Sequence, residues 1–153
     1  MMKTFSDNAG RTWTLAINVD AVRRVRSIVN VDLLEAVEGK LIEKLVGDPI
    51  LLCDVIYVIC KPEADQRSVS DEDFGRSMAG DAIDHATTSL LEELVDFFPK
   101  SRRALLTKAL GKFRQLETKA IQLVDKQLDD PNLEEKVLGQ LQQKLSEPMS
   151  SGV

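Results

Sequence analysis

The chain contains one histidine, His85, which directly follows an aspartate, Asp84. A carboxylate beside an imidazole can orient a general base. No Gly-rich phosphate loop and no nucleophile motif accompanies this pair in the sequence. On a helix that begins near Asp81, His85 falls beside Ile83 and Ala86, at the border of an apolar face. We therefore interpret His85 as a structural residue and predict neither a catalytic site nor a cofactor.

The two cysteines, Cys53 and Cys60, lie seven positions apart inside an apolar run. Two helical turns separate their Cα atoms by about 10 Å, which is beyond the reach of a disulfide bond. No CxxC pair is available to join the single histidine in a zinc site. The acidic run 71–73 lacks the glycine and the spacing of an EF-hand loop, and a helix N-terminus explains it. The sequence predicts two reduced, buried cysteines and no metal site.

Charge is unevenly distributed along the chain. Residues 63–98 carry two basic and ten acidic side chains, whereas residues 99–128 carry eight basic and two acidic ones. The net charge of −5 and the acidic segments on either side of the basic one disfavour binding to a nucleic-acid backbone. Two interpretations remain. In the first, the charges neutralise each other within the molecule or simply lie on solvated faces. In the second, they guide self-association or docking onto a charged partner.

The length and composition are those of one ordinary folded domain. The chain has 153 residues, of which 43% are hydrophobic and 29% are charged. The N-terminus lacks the apolar segment that directs secretion. The longest nearly uncharged run, 49–60, contains Asp54 and is shorter than the roughly 20 residues that a bilayer requires. We expect a cytosolic protein that does not enter a membrane.

The only strong β signal lies in residues 1–18. Residues 12–17 are rich in β-formers, and the turn residues 8–10 separate them from residues 3–6. Such a hairpin is marginal alone and needs a helix to cover its apolar face. That face is expected to hold Trp13, Leu15 and Ile17.

Apolar residues at helical spacing, together with residues that favour helix ends, predict seven helices. They span residues 20–28, 32–46, 49–60, 70–80, 81–98, 101–128 and 131–145. Asp32, Asp48 and Asp81 are the expected N-caps of the second, third and fifth helices. Lys61 and Pro62 are expected to end the third helix, and residues 62–69 to form a polar connection.

The predicted fold is mainly α, with a small N-terminal β-hairpin and a long C-terminal helix. One helical domain covers residues 1–145. It comprises the hairpin (1–18), core helices (19–98) and the long helix plus a final helix (101–145), and a disordered tail follows (146–153). At 1.5 Å per residue the helix 101–128 is about 40 Å long, more than a small core needs.

The outer part of this long helix is the candidate partner-binding site. An uncovered apolar stripe usually marks a protein interface. In the alternative, the helices after residue 101 fold back and complete the chain's own core. The candidate residues are Arg102, Arg103, Lys108, Phe113, Leu116, Ile121 and Val124.

Seven short segments, taken in order, resemble one protein family. They are Arg11-Thr12-Trp13-Thr14-Leu15, Val22-Arg23-Arg24-Val25-Arg26, Asn30-Val31-Asp32-Leu33, Asp48-Pro49-Ile50-Leu51-Leu52-Cys53-Asp54-Val55-Ile56-Tyr57, Val69-Ser70-Asp71-Glu72-Asp73-Phe74, Met78-Ala79-Gly80-Asp81-Ala82-Ile83 and Phe97-Phe98-Pro99. In this order and spacing the chain resembles the tail assembly chaperones of long-tailed bacteriophages and related prophages. The resemblance covers residues 4 to 105, and the region from Leu106 onward is not matched.

The resemblance implies a non-catalytic protein of the infected host cell's cytoplasm. Such a chaperone holds the tape measure protein soluble, recruits tail tube protein subunits as the tube polymerises, and is not expected in the mature virion. It implies no cofactor and no catalytic residue.

Two alternatives come from other classes of protein. The first is a structural or adaptor component that is retained in the phage virion. The second is a small enzyme that uses Asp84 and His85.

Overall fold

The computed structural model describes residues 2–146 and confirms a mainly α fold with an N-terminal hairpin. The strands are β1 (Lys3–Ser6) and β2 (Thr12–Leu15). The helices are α1 (Val19–Val29), α2 (Lys40–Gly47), α3 (Pro49–Ile59), α4 (Lys61–Gln66), α5 (Asp71–Arg76), α6 (Asp81–Phe97), α7 (Lys100–Leu128) and α8 (Leu133–Ser146), and a 3-10 helix, Leu33–Glu38, precedes α2. The tail expected at 146–153 lies outside the described residues, except for Ser146 at the end of α8.

Contacts divide the chain into two compact units, Met1–Gly111 and Lys112–Val153, with the boundary inside the residue range of α7. The sequence predicts one domain over residues 1–145, and the difference has a physical reason. Among the described residues every buried side chain lies at or before Leu110, and no residue between 112 and 145 is buried. The first unit therefore has its own hydrophobic core.

The hairpin presents one apolar face and one polar face. β1 and β2 are antiparallel, with Phe5 opposite Trp13 and Ser6 opposite Thr12. Phe5 and Trp13 are buried, whereas Ser6 and Thr12 are exposed with their hydroxyl oxygens 3.2 Å apart. Ile17, expected on the apolar face, lies beyond the end of β2 and is half-buried.

Phe74 of α5 is the centre of an aromatic cluster beneath this hairpin. Its ring lies edge-on to Trp13 and to Phe5, at centroid distances of 5.5 Å and 6.4 Å. The ring of Tyr57 on α3 lies 5.6 Å away, and Phe74 is only 1% exposed. Edge-to-face pairs of this kind add to the stabilisation from buried area. One side chain thus joins β1, β2, α3 and α5.

The carboxylate of Asp7, just after β1, is fully buried and organises the hairpin turn. Its Oδ1 accepts the backbone N–H groups of Ala9 and Arg11, each at 3.0 Å. Its Oδ2 accepts the Trp13 Nε1–H and the Arg11 Nε–H, each at 2.9 Å. The Arg11 guanidinium also donates to the Ser77 hydroxyl at 2.8 Å, which connects the turn to the residue that follows α5. No local sequence pattern predicts this network.

The pKa of Asp7 follows from this environment. Burial by itself raises the pKa, but the hydrogen bonds from Trp13 and Arg11 outweigh burial and hold the pKa below its ordinary value of 3.8. The ionised carboxylate is thus the form that the folded state stabilises.

Helix α6 covers the hairpin and also hydrogen-bonds to its backbone. The Ser89 hydroxyl donates to the carbonyl of Thr4 at 2.9 Å, and the Lys3 N–H donates to Glu93 Oε1 at 3.1 Å. Ser89 and Glu93 are both buried polar residues. Their partners are about ninety residues away in the chain, so no local pattern reveals them.

Helix α3 is the central core element, as its nearly continuous apolar sequence predicts. It packs against α1, α2, α4, α5 and α6. The side chain of Asp48 caps its first turn, accepting the N–H groups of Ile50 and Leu51, which confirms the predicted cap. At the other end the Arg24 guanidinium donates to the carbonyls of Val58 and Ile59 at 2.8 Å and 2.9 Å. A cation at that end also complements the helix dipole.

One predicted helix and one predicted N-cap are wrong because of single glycines. The helix expected over 32–46 breaks at Gly39, whose φ of 83° is left-handed, so Asp32 caps a 3-10 helix instead. Asp81 does not cap α6 with its side chain. Gly80 occupies the N-cap position with a φ of 60°, and Asp81 is the first helical residue.

Two further expectations about the middle of the chain are wrong. Residues 62–69 are not only a polar connection, because Pro62 lies in the first turn of α4, where its missing N–H costs nothing. The helix expected over 70–80 ends at Arg76. Its start is as predicted, with a capping box in which Ser70 and Asp73 accept each other's backbone N–H groups.

Candidate protein-binding surface

The two residues considered as a candidate catalytic pair do not interact with each other. Asp84 and His85 are both exposed on α6, and no hydrogen bond joins them in the part of the chain that the structure describes. No cluster of three or more His, Cys, Asp or Glu side chains suitable for a metal ion occurs among residues 2–146.

Both cysteines are free thiols whose surroundings disfavour the reactive thiolate. Cys60 is buried, as predicted, and burial followed by the nearby Glu63 carboxylate raises its pKa to about 12. Cys53 is half-buried rather than buried, and burial together with Asp54 raises its pKa as well. A thiol with a raised pKa is a poor nucleophile at neutral pH.

The three predicted basic residues Arg102, Arg103 and Lys108 lie in the first unit, near the start of α7. All three are exposed. Arg103 Nη2 donates to the backbone carbonyl of Asp96 at 3.3 Å, at the C-terminal end of α6. Leu106 and Leu110, on the same part of α7, are buried.

The second unit presents exposed apolar side chains. Leu116 is 66% exposed, Ile121 63% and Val124 53%, while Phe113 is half-buried. At 100° per residue they fall within one side of the helix, because residues three, four and seven apart share a face. We name this surface the α7 face, formed by Phe113, Leu116, Ala120, Ile121, Leu123, Val124 and Leu128.

The α7 face is shaped as well as apolar. A shallow concavity on it is lined almost entirely by apolar side chains, with one carboxylate at its border. Its lining residues are Ala120, Ile121, Val124, Asp125 and Leu128. Leu123 extends the stripe beyond the residues that the sequence named.

Helix α8 has a second exposed apolar row. Val137, Leu138, Leu141 and Leu145 are all at least 45% exposed. The turn before α8 is well organised, because Asp130 accepts the Asn132 N–H at 2.9 Å and forms an ion pair with Lys136 at 2.8 Å. The hydrogen bond from Lys136, followed by that from Asn132, holds the pKa of Asp130 below its ordinary value.

The fold and the α7 face define a mainly α protein that presents uncovered apolar helix surface. Comparison of the chain with known protein families, curated proteins and solved structures finds no match. No helix within residues 2–146 is both long enough and apolar enough to cross a membrane. Function must therefore be inferred from the exposed surface and from the sequence resemblance.

Proposed function

We propose that the protein is a non-catalytic tail assembly chaperone of a long-tailed bacteriophage or prophage. It binds the tape measure protein through the α7 face, keeps it soluble and recruits tail tube subunits in the host cell cytoplasm. It leaves before the virion is complete.

The observation that carries this proposal is the exposure of the α7 face. Soluble proteins rarely leave contiguous apolar patches of more than a few hundred Å² uncovered unless the patch binds something. Seven residues of one helix side form this patch, and five of its large side chains are more than half exposed. The alternative in which the helices after residue 101 complete the chain's own core requires these side chains to be buried.

The form of the surface suits a helical partner. An amphipathic helix binds when its apolar side chains, three and four residues apart, interdigitate with a matching row. A tape measure protein is expected to be a very long helix with apolar stripes, so it offers such rows repeatedly along its length. Many copies of the chaperone could thus cover one tape measure molecule.

We expect the triple variant Leu116→Gln, Ile121→Gln, Val124→Gln to lose the partner without unfolding. These residues are exposed, so each substitution changes the free energy of unfolding by less than about 0.5 kcal/mol. Loss of three apolar contacts should weaken the complex about a hundredfold or more.

The measurement is co-expression with the tape measure protein of the same genome, followed by affinity capture and light scattering. The matched control is Gln115→Ala, Thr118→Ala, Gln122→Ala, on the opposite side of the same helix. Wild type and control should yield a soluble complex, and the apolar-to-Gln variant should not. A tape measure protein that is equally insoluble with and without wild-type chain would refute the proposal.

The alternative is a structural or adaptor component of the virion. The protein content of purified virions distinguishes it from the proposed chaperone. The proposal predicts that purified virions lack the chain. Stoichiometric chain in purified virions would favour the structural role.

A further inference from the structure

Three lysines form a straight row beside the α7 face. Lys112, Lys119 and Lys126 recur every seven residues, and seven residues complete two turns to within about 20°. They therefore lie along one line, about 10 Å apart, on one border of the apolar stripe. The other border is mixed in sign, with Arg114 and Asp125, and one exposed carboxylate, Glu117, lies within the stripe itself.

The row has no acidic partner within the described part of the chain. None of the ion pairs among residues 2–146 involves Lys112, Lys119 or Lys126, and all three side chains are exposed. Basic side chains elsewhere in the chain do form ion pairs, as Lys61 does with Asp65 and Lys136 with Asp130. Three aligned, unpaired charges give the border a uniformly positive potential.

We infer that the α7 face takes a partner helix whose apolar row is bordered by Asp or Glu side chains at seven-residue spacing. In paired helices, the residues that flank the apolar row set partner choice and orientation through opposite charges. The α7 face supplies the apolar row and the lysines supply the positive flank. This inference rests on the proposed function and specifies the chemistry of the segment that binds.

A second copy of the chain does not supply the required charges. If two α7 faces paired antiparallel, the two lysine rows would lie side by side and repel. If they paired parallel, the lysine row would face the mixed border of the other copy, where Asp125 attracts but Arg114 repels. Helix α8 of a second copy does not supply the required charges either. Within the described α8 the only acidic residues are Glu134 and Glu135, which are adjacent in the chain and cannot span a lysine row about 20 Å long.

The test uses the full-length protein and two synthetic helical peptides as long as residues 112–128. Both peptides carry the same leucine row, one flanked by Glu and the other by Lys at seven-residue spacing. Binding is measured by fluorescence anisotropy at about 0.05 M and about 1 M NaCl. We expect the Glu-flanked peptide to bind about tenfold tighter at low salt, because three attractive pairs replace three repulsive ones. The preference should shrink at high salt.

Two variants with equal net charge distinguish the effect of the lysine row from the effect of the protein's net charge. Lys112→Gln, Lys119→Gln, Lys126→Gln removes three positive charges from the border. Ala104→Glu, Thr107→Glu, Thr118→Glu adds three negative charges at exposed positions of the same helix, none of which is three or four residues from a lysine of the row. The first should lose the preference for the Glu-flanked peptide, and the second should keep most of it. Circular dichroism confirms that both remain helical.

Equal binding of the two peptides, or equal effects of the two variants, would overturn the inference. So would a chain that forms dimers by light scattering and binds neither peptide. These outcomes are independent of the proposed function, because the peptides contain no tape measure sequence. A failed co-expression together with a clear peptide preference would refute the chaperone role and leave the charge selectivity of the α7 face intact.

Discussion

Replacing Phe74 by alanine will lower the free energy of unfolding by about 3–5 kcal/mol, the usual cost of removing a buried aromatic side chain. Phe74 is 1% exposed and contacts the rings of Phe5, Trp13 and Tyr57. Removal of its ring leaves a cavity where β1, β2, α3 and α5 meet, and three aromatic neighbours lose a partner at once. Because these elements come from distant parts of the chain, they cannot close the gap by a small local shift.

The change is measured by urea unfolding followed by circular dichroism. The matched control is Phe113→Ala, which removes the same atoms from a half-buried site in the second unit and should cost less than about 1 kcal/mol. Similar losses for the two variants would mean that the aromatic cluster is not the centre of the core.

Replacing Asp7 by asparagine will lower the free energy of unfolding by about 2–4 kcal/mol at neutral pH. The carboxylate accepts four N–H donors, two from backbone and two from the side chains of Trp13 and Arg11. Asparagine has one acceptor oxygen and presents an NH₂ group to the remaining donors. It also removes the negative charge that balances the Arg11 guanidinium.

The effect of Asp7→Asn will depend on pH. The folded-state pKa of Asp7 lies below its ordinary value of 3.8, so the folded state binds this proton more weakly than the unfolded state does. The stabilisation is complete above the unfolded pKa and is lost as the pH falls through the folded pKa. The difference between wild type and variant should be constant above about pH 5 and shrink below about pH 4.

The control for this pH series is Asp20→Asn. Asp20 forms an ion pair with Arg24 at 2.7 Å but is largely exposed, and such pairs contribute less than about 1 kcal/mol. A loss from Asp7→Asn no larger than the loss from Asp20→Asn would contradict the central role of the buried carboxylate.

Much of the local structure could be predicted because its signals lie within a few residues of each other. The Asp48 cap followed by Pro49, and the pairing of Ser70 with Asp73, place the starts of α3 and α5 correctly. Alternation in residues 12–15 identifies the buried face of β2. These features are determined by contacts between residues close in sequence, and the tertiary packing preserves them.

The remaining features depend on partners far away in the chain or on one residue's backbone conformation. Gly39 could continue a helix, and only packing decides that it adopts a left-handed φ there. Glu93 looks like a solvent-facing residue until β1 brings the Lys3 N–H against it. Asp7 looks like an ordinary turn residue until Trp13 and Arg11 donate to it.

The candidate surface was predicted in composition but not in extent. Helical spacing identifies Phe113, Leu116, Ile121 and Val124 as members of one stripe. Periodicity does not reveal whether a stripe is covered, since a core helix and an interface helix share the same pattern. The structure adds the exposure of these side chains and the boundary of the first unit before residue 112.

Hydrogen exchange of the full-length chain, alone and with the co-expressed tape measure protein, shows directly whether the α7 face binds the partner. We predict slower exchange in residues 112–128 of the complex, while amides around the Phe74 cluster exchange at the same rate in both states. Unchanged exchange in residues 112–128, with protection confined to the first unit or absent altogether, would contradict the claim that the α7 face binds the partner.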